Sequence, residues 1–193
     1  MIRADNVIYN AHPAIHNACR ELLRGGVIAY PTEAVWGLGC DPNNSHALDR
    51  VLQLKRRHWS KGLILVAASI DQVEFLLDGI STIQRSHLEA TWPGPNTWLV
   101  PHKQRVSKQL CGDHDTIAVR VSSHPVVKAL CEHVGGPIVS TSANPQGLSP
   151  ARSVTQARRY FGRQGVVFAP GVVGPQKAPS AIRDLTTGAT LRG

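Results

Sequence analysis

The chain has 193 residues, of which 42% are hydrophobic and 18% charged, and this composition excludes disordered, collagen-like and coiled-coil proteins. Its 21 Lys and Arg residues exceed its 13 Asp and Glu residues by eight. Such a surplus favours a polyanion or a phosphate-rich small molecule as partner, although it also serves solubility. The longest apolar run, at 62–68, is far shorter than the ~20 residues of a membrane span. We therefore expect one cytoplasmic domain over residues 1–193, with no membrane association.

Helices and short apolar strands alternate along the first part of the chain. Apolar spacing from Pro13 predicts a helix that Gly25-Gly26 ends, and residues 27–30 then form a short buried strand. Ser45 is expected to cap a second helix, which continues through residue 55. Residues 62–67 are continuously apolar, which is typical of a strand buried on both faces.

The same alternation continues downstream. Helices are predicted at 71–77, 83–90, 125–134 and 154–161, and strands at 97–100, 116–121, 138–140, 166–168 and 181–185. This order indicates an α/β domain with a mixed sheet. The Gly- and Pro-rich residues 171–179 are predicted to form a mobile loop, and too few residues follow them for a second domain.

The four cysteines and nine histidines are dispersed without the close spacing of a metal site. We therefore expect no structural metal. Cys19 and Cys131 fall on apolar faces of predicted helices, which predicts buried free thiols.

Four polar segments each follow or lead into an apolar strand, where the ligand sites of α/β sheets cluster. They are residues 30–39, with Thr32, Glu33 and two glycines; residues 55–61, with four cations; residues 116–120, in which Thr116, Ala118 and Arg120 share one face; and residues 140–144, with three hydroxyls and an amide. Each segment also has a structural explanation: a strand corner, a solvated helix end, a solvated strand face and a capped loop.

Familiar catalytic motifs are missing from the sequence. There is no Walker A motif, complete dinucleotide fingerprint, G-x-S-x-G elbow or Ser–His–Asp order. The polar segments instead supply cations and hydroxyls, which bind anions and stabilise charge on a phosphate, as in nucleotidyl or phosphoryl transfer. The residues by themselves indicate a nucleotide or phosphate ligand.

Taken together and in this order, the four segments resemble the YrdC/Sua5 family, and the likeness is closest to its short bacterial form. Residues 92–95 (Trp-Pro-Gly-Pro) and 180–184 (Ser-Ala-Ile-Arg-Asp) add to the resemblance, which covers nearly the whole chain. It implies a single domain with a twisted mixed parallel/antiparallel sheet, flanked by helices and enclosing a positively charged cavity. It also implies that the C-terminal domain of longer relatives is missing here.

The resemblance implies an enzyme, an L-threonylcarbamoyladenylate synthase of the nucleotidyltransferase class. Such an enzyme converts L-threonine, bicarbonate or CO₂, and ATP into threonylcarbamoyl-AMP and pyrophosphate, with Mg²⁺ accompanying ATP. The product serves the N6-threonylcarbamoyladenosine (t6A37) modification of tRNAs that read codons beginning with A. The implied partners are a downstream threonylcarbamoyl transferase complex and, by direct contact, tRNA.

The resemblance also assigns roles to residues of this chain. The catalytic and phosphate-binding element falls on Lys55 and Arg57, which are expected at a solvent-reached cavity. Further ATP contacts fall on Lys61, Thr116, Ser140, Ser142, Asn144 and Arg192, and threonine contacts on Thr32, Arg120 and Ser180. The chain departs from the family pattern at Ala34, His58 and Val66, where many members have a hydroxyl, a proline and a polar residue.

Two other functions remain open. One is a non-catalytic module that binds tRNA or double-stranded RNA through the same basic concavity. The other is a regulatory nucleotide-binding domain detached from a larger carbamoyl-transfer enzyme. Arg152, Arg158, Arg159 and Arg163 surround one predicted helix, where they fit either contact with tRNA or simple solubility.

Overall fold

A computed structural model describes residues 9–178 and 180–192, although not the side chain of Arg192. The helices are α1 (Pro13–Leu23), α2 (Ser45–Lys55), α3 (Glu74–Leu77), α4 (Thr82–Thr91), α5 (Lys108–Cys111), α6 (Pro125–Val134) and α7 (Val154–Phe161), with 3₁₀ turns at Trp59–Lys61 and Asp71–Val73. The strands are β1 (Ile28–Pro31), β2 (Trp36–Gly39), β3 (Ile64–Ala67), β4 (Asn96–Pro101), β5 (Thr116–Val121), β6 (Ile138–Ser142), β7 (Val167–Phe168), β8 (Ala181–Asp184) and β9 (Thr190–Arg192).

These strands form one sheet in the order β7-β1-β2-β6-β3-β5-β4-β8-β9. β7, β3 and β4 lie parallel to β1, β5 and β8 respectively, whereas β2 and β6 run antiparallel to their neighbours. The prediction of an α/β domain with a mixed sheet is thereby confirmed.

Local chemistry sets the helix ends. Pro13 occupies the first turn of α1, where its missing N–H costs nothing. α2 starts where expected, but its cap is Asn44 rather than Ser45, because Asn44 Oδ1 accepts a hydrogen bond from Ala47 N at 3.0 Å. α2 ends at Arg56, which has a left-handed φ of 50° and turns the chain toward the next loop.

Side chains alternate across the sheet and divide the interior in two. On β5, Ile117, Val119 and Val121 join the larger apolar cluster on one face. The opposite face carries a smaller cluster, in which α1 and α6 pack together against β1 and β3. Beyond this smaller cluster the same face is left open, and the candidate site lies there.

The sequence prediction and the structure differ at several elements. The strand predicted at 62–67 begins only at Ile64, because Gly62 has a φ of +61° and its amide hydrogen-bonds to Trp59 O. β6 extends two residues beyond the predicted 138–140, so the hydroxyl segment lies partly on a strand. β2, α5 and β9 are additional to the predicted elements. In the described part of the chain, no helix has the length and apolarity to cross a membrane.

Candidate functional site

A cavity of about 390 Å³ occupies the open part of the sheet face, a volume within the ~300–1,000 Å³ typical of small-molecule sites. Its walls bring together most of the residues singled out in the sequence. Those expected at ATP are Arg57, Lys61, Thr116, Ser140 and Ser142, and those expected at threonine are Thr32, Arg120 and Ser180. Segments far apart in sequence therefore meet in one place.

Charge in the cavity wall is of one sign. Arg57, Lys61 and Arg120 are cations, and none of the lining residues within the described ranges is Asp or Glu. Thr116, Ala118 and Arg120 all line the cavity, which confirms that they share one strand face. The solvated alternative for Arg120 is excluded, because only 8% of the residue is exposed.

Lys55 and Asn144 lie immediately behind this wall. Lys55 Nζ donates hydrogen bonds to the backbone carbonyl of Ser142, to its Oγ at 3.1 Å and to Asn144 Oδ1 at 3.0 Å. Lys55 is only 5% exposed, which differs from the solvent-reached position expected for it. Burial, with a smaller contribution from the Arg57 charge, lowers the pKa of Lys55 to about 8.

Asn144 fixes the loop after β6. While its Oδ1 accepts from Lys55, its Nδ2 donates to Pro145 O at 3.2 Å and Leu148 O at 2.6 Å. The amide is therefore engaged at both ends, and of this group Ser142 presents its side chain to the cavity. The Arg192 side chain, also expected at ATP, lies outside the described residues, although its backbone pairs with Ile182.

Arg57 shapes the loop that forms one rim of the cavity. Its Nε and Nη2 donate to Gly62 O at 3.2 and 3.0 Å, and Nη2 also donates to Lys61 O at 3.0 Å. Burial lowers the pKa of Arg57. His58 accepts from Ser60 N through Nδ1 and so begins the 3₁₀ turn inside this loop. The guanidinium thus sets the position of Lys61 as well as its own.

Thr32 and Ala34 form the corner between β1 and β2. Thr32 Oγ1 donates to Val35 O at 2.8 Å, so the hydroxyl closes the turn on which it stands. Ala34 contributes an apolar piece of the cavity wall.

Ser140 and Ser180 are buried hydroxyls of the wall. Ser180 Oγ lies 2.8 Å from Thr97 Oγ1, which links β8 to β4. Ser140 lies beside Tyr30, whose hydroxyl donates to Val139 O at 3.1 Å. Gly39 permits this close approach, because a Cβ there would fall 2.3 Å from Val139 O.

Glu33 is a charged residue beside the site that the sequence interpretation did not assign. Its Oε2 lies 3.3 Å from Arg120 Nη2, and its Oε1 accepts from Ser122 Oγ at 2.7 Å. Burial acts to raise the pKa of Glu33, but Arg120 and the Ser122 hydrogen bond outweigh it and the net shift is downward. A carboxyl placed within an otherwise apolar corner, directly after Pro31-Thr32, was the available signal in the sequence.

Two further features concern the cysteines and the residues that could bind a metal ion. All four cysteines are buried free thiols, as predicted for Cys19 and Cys131. Within residues 9–178 and 180–192, no cluster of three or more His, Cys, Asp or Glu side chains has the arrangement to hold a metal ion.

Comparison with known proteins shows which family this chain is similar to. A Sua5/YciO/YrdC family model, described as telomere recombination, matches residues 20–192. The chain is 60% identical over 184 residues to the threonylcarbamoyl-AMP synthase of Saccharophagus degradans, covering 95% of this chain and 96% of that protein. It is 51% identical over 175 residues to the threonylcarbamoyl-AMP synthase of Pseudomonas aeruginosa, covering 91% of this chain and 94% of that protein.

The fold matches a solved structure as well. The crystal structure of P. abyssi Sua5 complexed with L-threonine superposes with a TM-score of 0.82 at 30% identity. The match covers 91% of this chain and 52% of that one.

Proposed function

The chain belongs to the Sua5/YciO/YrdC family, and we propose that it is an L-threonylcarbamoyladenylate synthase. Its substrates are L-threonine, bicarbonate or CO₂, and ATP, and its products are threonylcarbamoyl-AMP and pyrophosphate. The observation that carries the proposal is one cavity whose walls combine three cations with the hydroxyls of Thr116, Ser140 and Ser142. Relatives named threonylcarbamoyl-AMP synthase, at 51–60% identity over nearly their full length, support the same assignment.

The reaction needs two bond-forming steps. The neutral amine of threonine attacks CO₂ and loses a proton to give a carbamate. A carbamate oxygen then attacks the α-phosphorus of ATP, and pyrophosphate leaves with the electron pair of the broken P–O bond. A protein nucleophile is unnecessary, so positioning and charge stabilisation supply the acceleration.

Cations of the wall are suited to the nucleotide. Arg57 and Lys61 stand together on the rim loop, where they would neutralise phosphate charge that builds up as the P–O bond breaks. The hydroxyls of Thr116, Ser140 and Ser142 would hold the nucleotide by hydrogen bonds. Lys55 and Asn144 would contribute from behind Ser142, and the Arg192 side chain would be a further ATP contact.

The same cavity also has groups that suit an amino acid. Arg120 would bind the threonine carboxylate, and Thr32 and Ser180 of the same wall would contact the rest of the amino acid. Mg²⁺ would arrive on the ATP phosphates and neutralise part of their charge, since Mg²⁺ at nucleotides is held largely by phosphate oxygens and water.

Direct tRNA contact is a second element of the proposal. Arg159 and Arg163 are exposed on and just after α7, whereas Arg158 covers the Phe168 ring at 4.9 Å and Arg152 donates to the carbonyls of Gln176 and Lys177. All four arginines are exposed, and we assign Arg159 and Arg163 to the phosphates of a polyanion because the other two make these contacts within the chain. The product would pass to a threonylcarbamoyl transferase complex, and the reaction would take place in the cytoplasm, where ATP and tRNA occur together.

Isotope incorporation tests the proposed reaction. With ¹³C-bicarbonate, L-threonine and ATP, the purified protein is expected to form an adenylate whose mass includes the label, the threonine and AMP. Formation of ADP or of an unlabelled adenylate would contradict the proposal. Salt-dependent tRNA binding without any labelled product would favour the non-catalytic RNA-binding alternative.

A further inference from the structure

We infer that Glu33 is a positioning residue that holds Arg120 in the orientation in which it binds the amino-acid carboxylate. The inference rests on the proposed function, from which it takes the amino-acid ligand. It starts from an ion pair buried between the β1–β2 corner and β5, in which neither residue is more than 8% exposed.

The geometry of this pair is unlike that of a purely structural salt bridge. A buried Arg–carboxylate pair repays its desolvation when it is bidentate and every polar atom is hydrogen-bonded. Here Arg120 Nη2 meets Glu33 Oε2 at a single point 3.3 Å away, and both Glu33 Oε2 and Arg120 Nε are buried without a hydrogen-bond partner. Within residues 9–178 and 180–192 the Arg120 side chain has this ion pair and no side-chain hydrogen bond, so the part of the guanidinium that lines the cavity is left for a second anion.

Glu33 is itself rigidly held, as a positioning group must be. Its Oε1 accepts from Ser122 Oγ at 2.7 Å, and that oxygen in turn accepts from His124 N at 3.1 Å. Its backbone carbonyl accepts from Gln176 N at 3.1 Å, so the segment after β7 fixes the corner from outside. The carboxylate cannot rotate away from Arg120 without breaking these contacts.

The surroundings of Glu33 exclude a direct role in proton transfer. Glu33 is absent from the cavity wall, whereas its neighbours Thr32 and Ala34 belong to it. Its lowered pKa keeps the group ionised, which suits a fixed counter-charge and not a base that must gain a proton at neutral pH. Glu33 therefore acts on the ligand through Arg120.

Equilibrium binding separates this role from a merely structural one. L-Threonine and L-threoninamide differ at the carboxylate, so they serve as matched ligands in calorimetry. Glu33→Gln, which keeps the size of the side chain and removes its charge, is expected to weaken L-threonine binding about 10-fold or more and to change threoninamide binding less than about 2-fold. Equal weakening of both ligands, or unchanged threonine affinity, would overturn the inference.

A double-mutant cycle tests whether the effect passes through Arg120. If it does, Glu33→Gln in an Arg120→Lys background is expected to cause less than about 2-fold further loss of threonine affinity, because the oriented guanidinium is already gone. Additive losses would overturn the inference. If Glu33→Gln does not fold, Glu33→Asp carries the same comparison, since it keeps the charge but withdraws it from Arg120.

The binding experiments on Glu33 and the test of synthase activity can fail independently of each other. Wild-type protein that binds L-threonine but forms no adenylate would contradict the synthase and leave the Glu33 comparison intact. Wild-type protein that forms adenylate while Glu33→Gln binds threonine normally would contradict only the inference. Absence of threonine binding by the wild-type protein would overturn the inference together with the amino-acid assignment.

Discussion

Lys55 Nζ donates hydrogen bonds to both the backbone carbonyl and the side-chain hydroxyl of Ser142, which ties the end of α2 to the last residue of β6. The third hydrogen bond goes to Asn144 Oδ1 at 3.0 Å. Because an ammonium group has three N–H donors, these contacts use all of them. Lys55 therefore acts on the cavity by orienting Ser142, and the hydroxyl proton of Ser142 remains available to donate a hydrogen bond to a ligand.

Replacing Lys55 should damage both activity and stability. Lys55→Met is expected to reduce kcat/KM for pyrophosphate release at least ~100-fold, since Ser142 loses the contact that orients it. The free energy of unfolding in urea should fall by about 1–3 kcal/mol, because buried acceptors lose their donor. Lys128→Met on α6 is the matched control and should stay within about 2-fold in activity. Near-normal turnover in Lys55→Met would contradict a role for Lys55 in the reaction.

The lowered pKa of Lys55 predicts how stability depends on pH. An unfolded lysine titrates near 10.5 and the folded Lys55 at about 8, so the unfolded chain binds more protons between these values. The free energy of unfolding of the wild-type protein, relative to Lys55→Met, should therefore rise from pH 8 to 10.5, by about 1–3 kcal/mol. Urea titrations across this range measure the difference. A flat or falling difference would contradict a buried ammonium at this position.

Arg57 should be irreplaceable by lysine. The guanidinium binds two carbonyls of the rim loop at once, at Lys61 and Gly62, and a single ammonium cannot reproduce that geometry. Arg57→Lys is expected to raise the KM for ATP or lower kcat so that kcat/KM falls ~10- to 100-fold. Arg56→Lys, at the exposed neighbouring position, should keep wild-type kinetics. Equal kinetics in the two variants would show that charge alone suffices.

Gly174 should be required for the corner that carries Thr32 and Glu33. Its amide donates to Thr32 O at 2.9 Å, and a Cβ at Gly174 would lie 2.8 Å from Glu33 O. Gly174→Ala is expected to raise the KM for threonine several-fold more than the KM for ATP, because the added methyl group displaces the corner that carries Thr32 and Glu33. Gly136→Ala, where an added Cβ has nothing within 4 Å, is the control. An equal rise in the KM for threonine and the KM for ATP would indicate that the whole cavity is disturbed and not only the corner beside Gly174.

Much of the fold was readable from the sequence because the signals are local. The helix bounds at 125–134 and 154–161 and the strand at 116–121 agree with the predictions, since caps and apolar periodicity set them. β9 and the four-residue α5 were not predicted, because elements this short depend on pairing and packing with distant segments.

The sequence predicts which residues lie at the site, but it does not predict the hydrogen bonds and ion pairs between them. The family resemblance predicted which side chains gather at the cavity, and eight of them do, seven from the four polar segments together with Ser180. The sequence could not show that Lys55 donates hydrogen bonds to Ser142 and to Asn144, because these contacts join positions 87 and 89 residues apart. For the same reason the sequence did not predict a role for Glu33, since its partner Arg120 lies on a strand far away in the sequence.

Pyrophosphate release from the purified protein, measured with each substrate omitted in turn, tests whether the chain is a threonylcarbamoyladenylate synthase. Release is expected only when L-threonine, bicarbonate and ATP are all present with Mg²⁺. It should be at least ~10-fold less when L-serine replaces L-threonine, since one methyl group is worth about 1–3 kcal/mol in a fitted pocket. Equal release without an amino acid, without bicarbonate, or with serine would contradict the assignment.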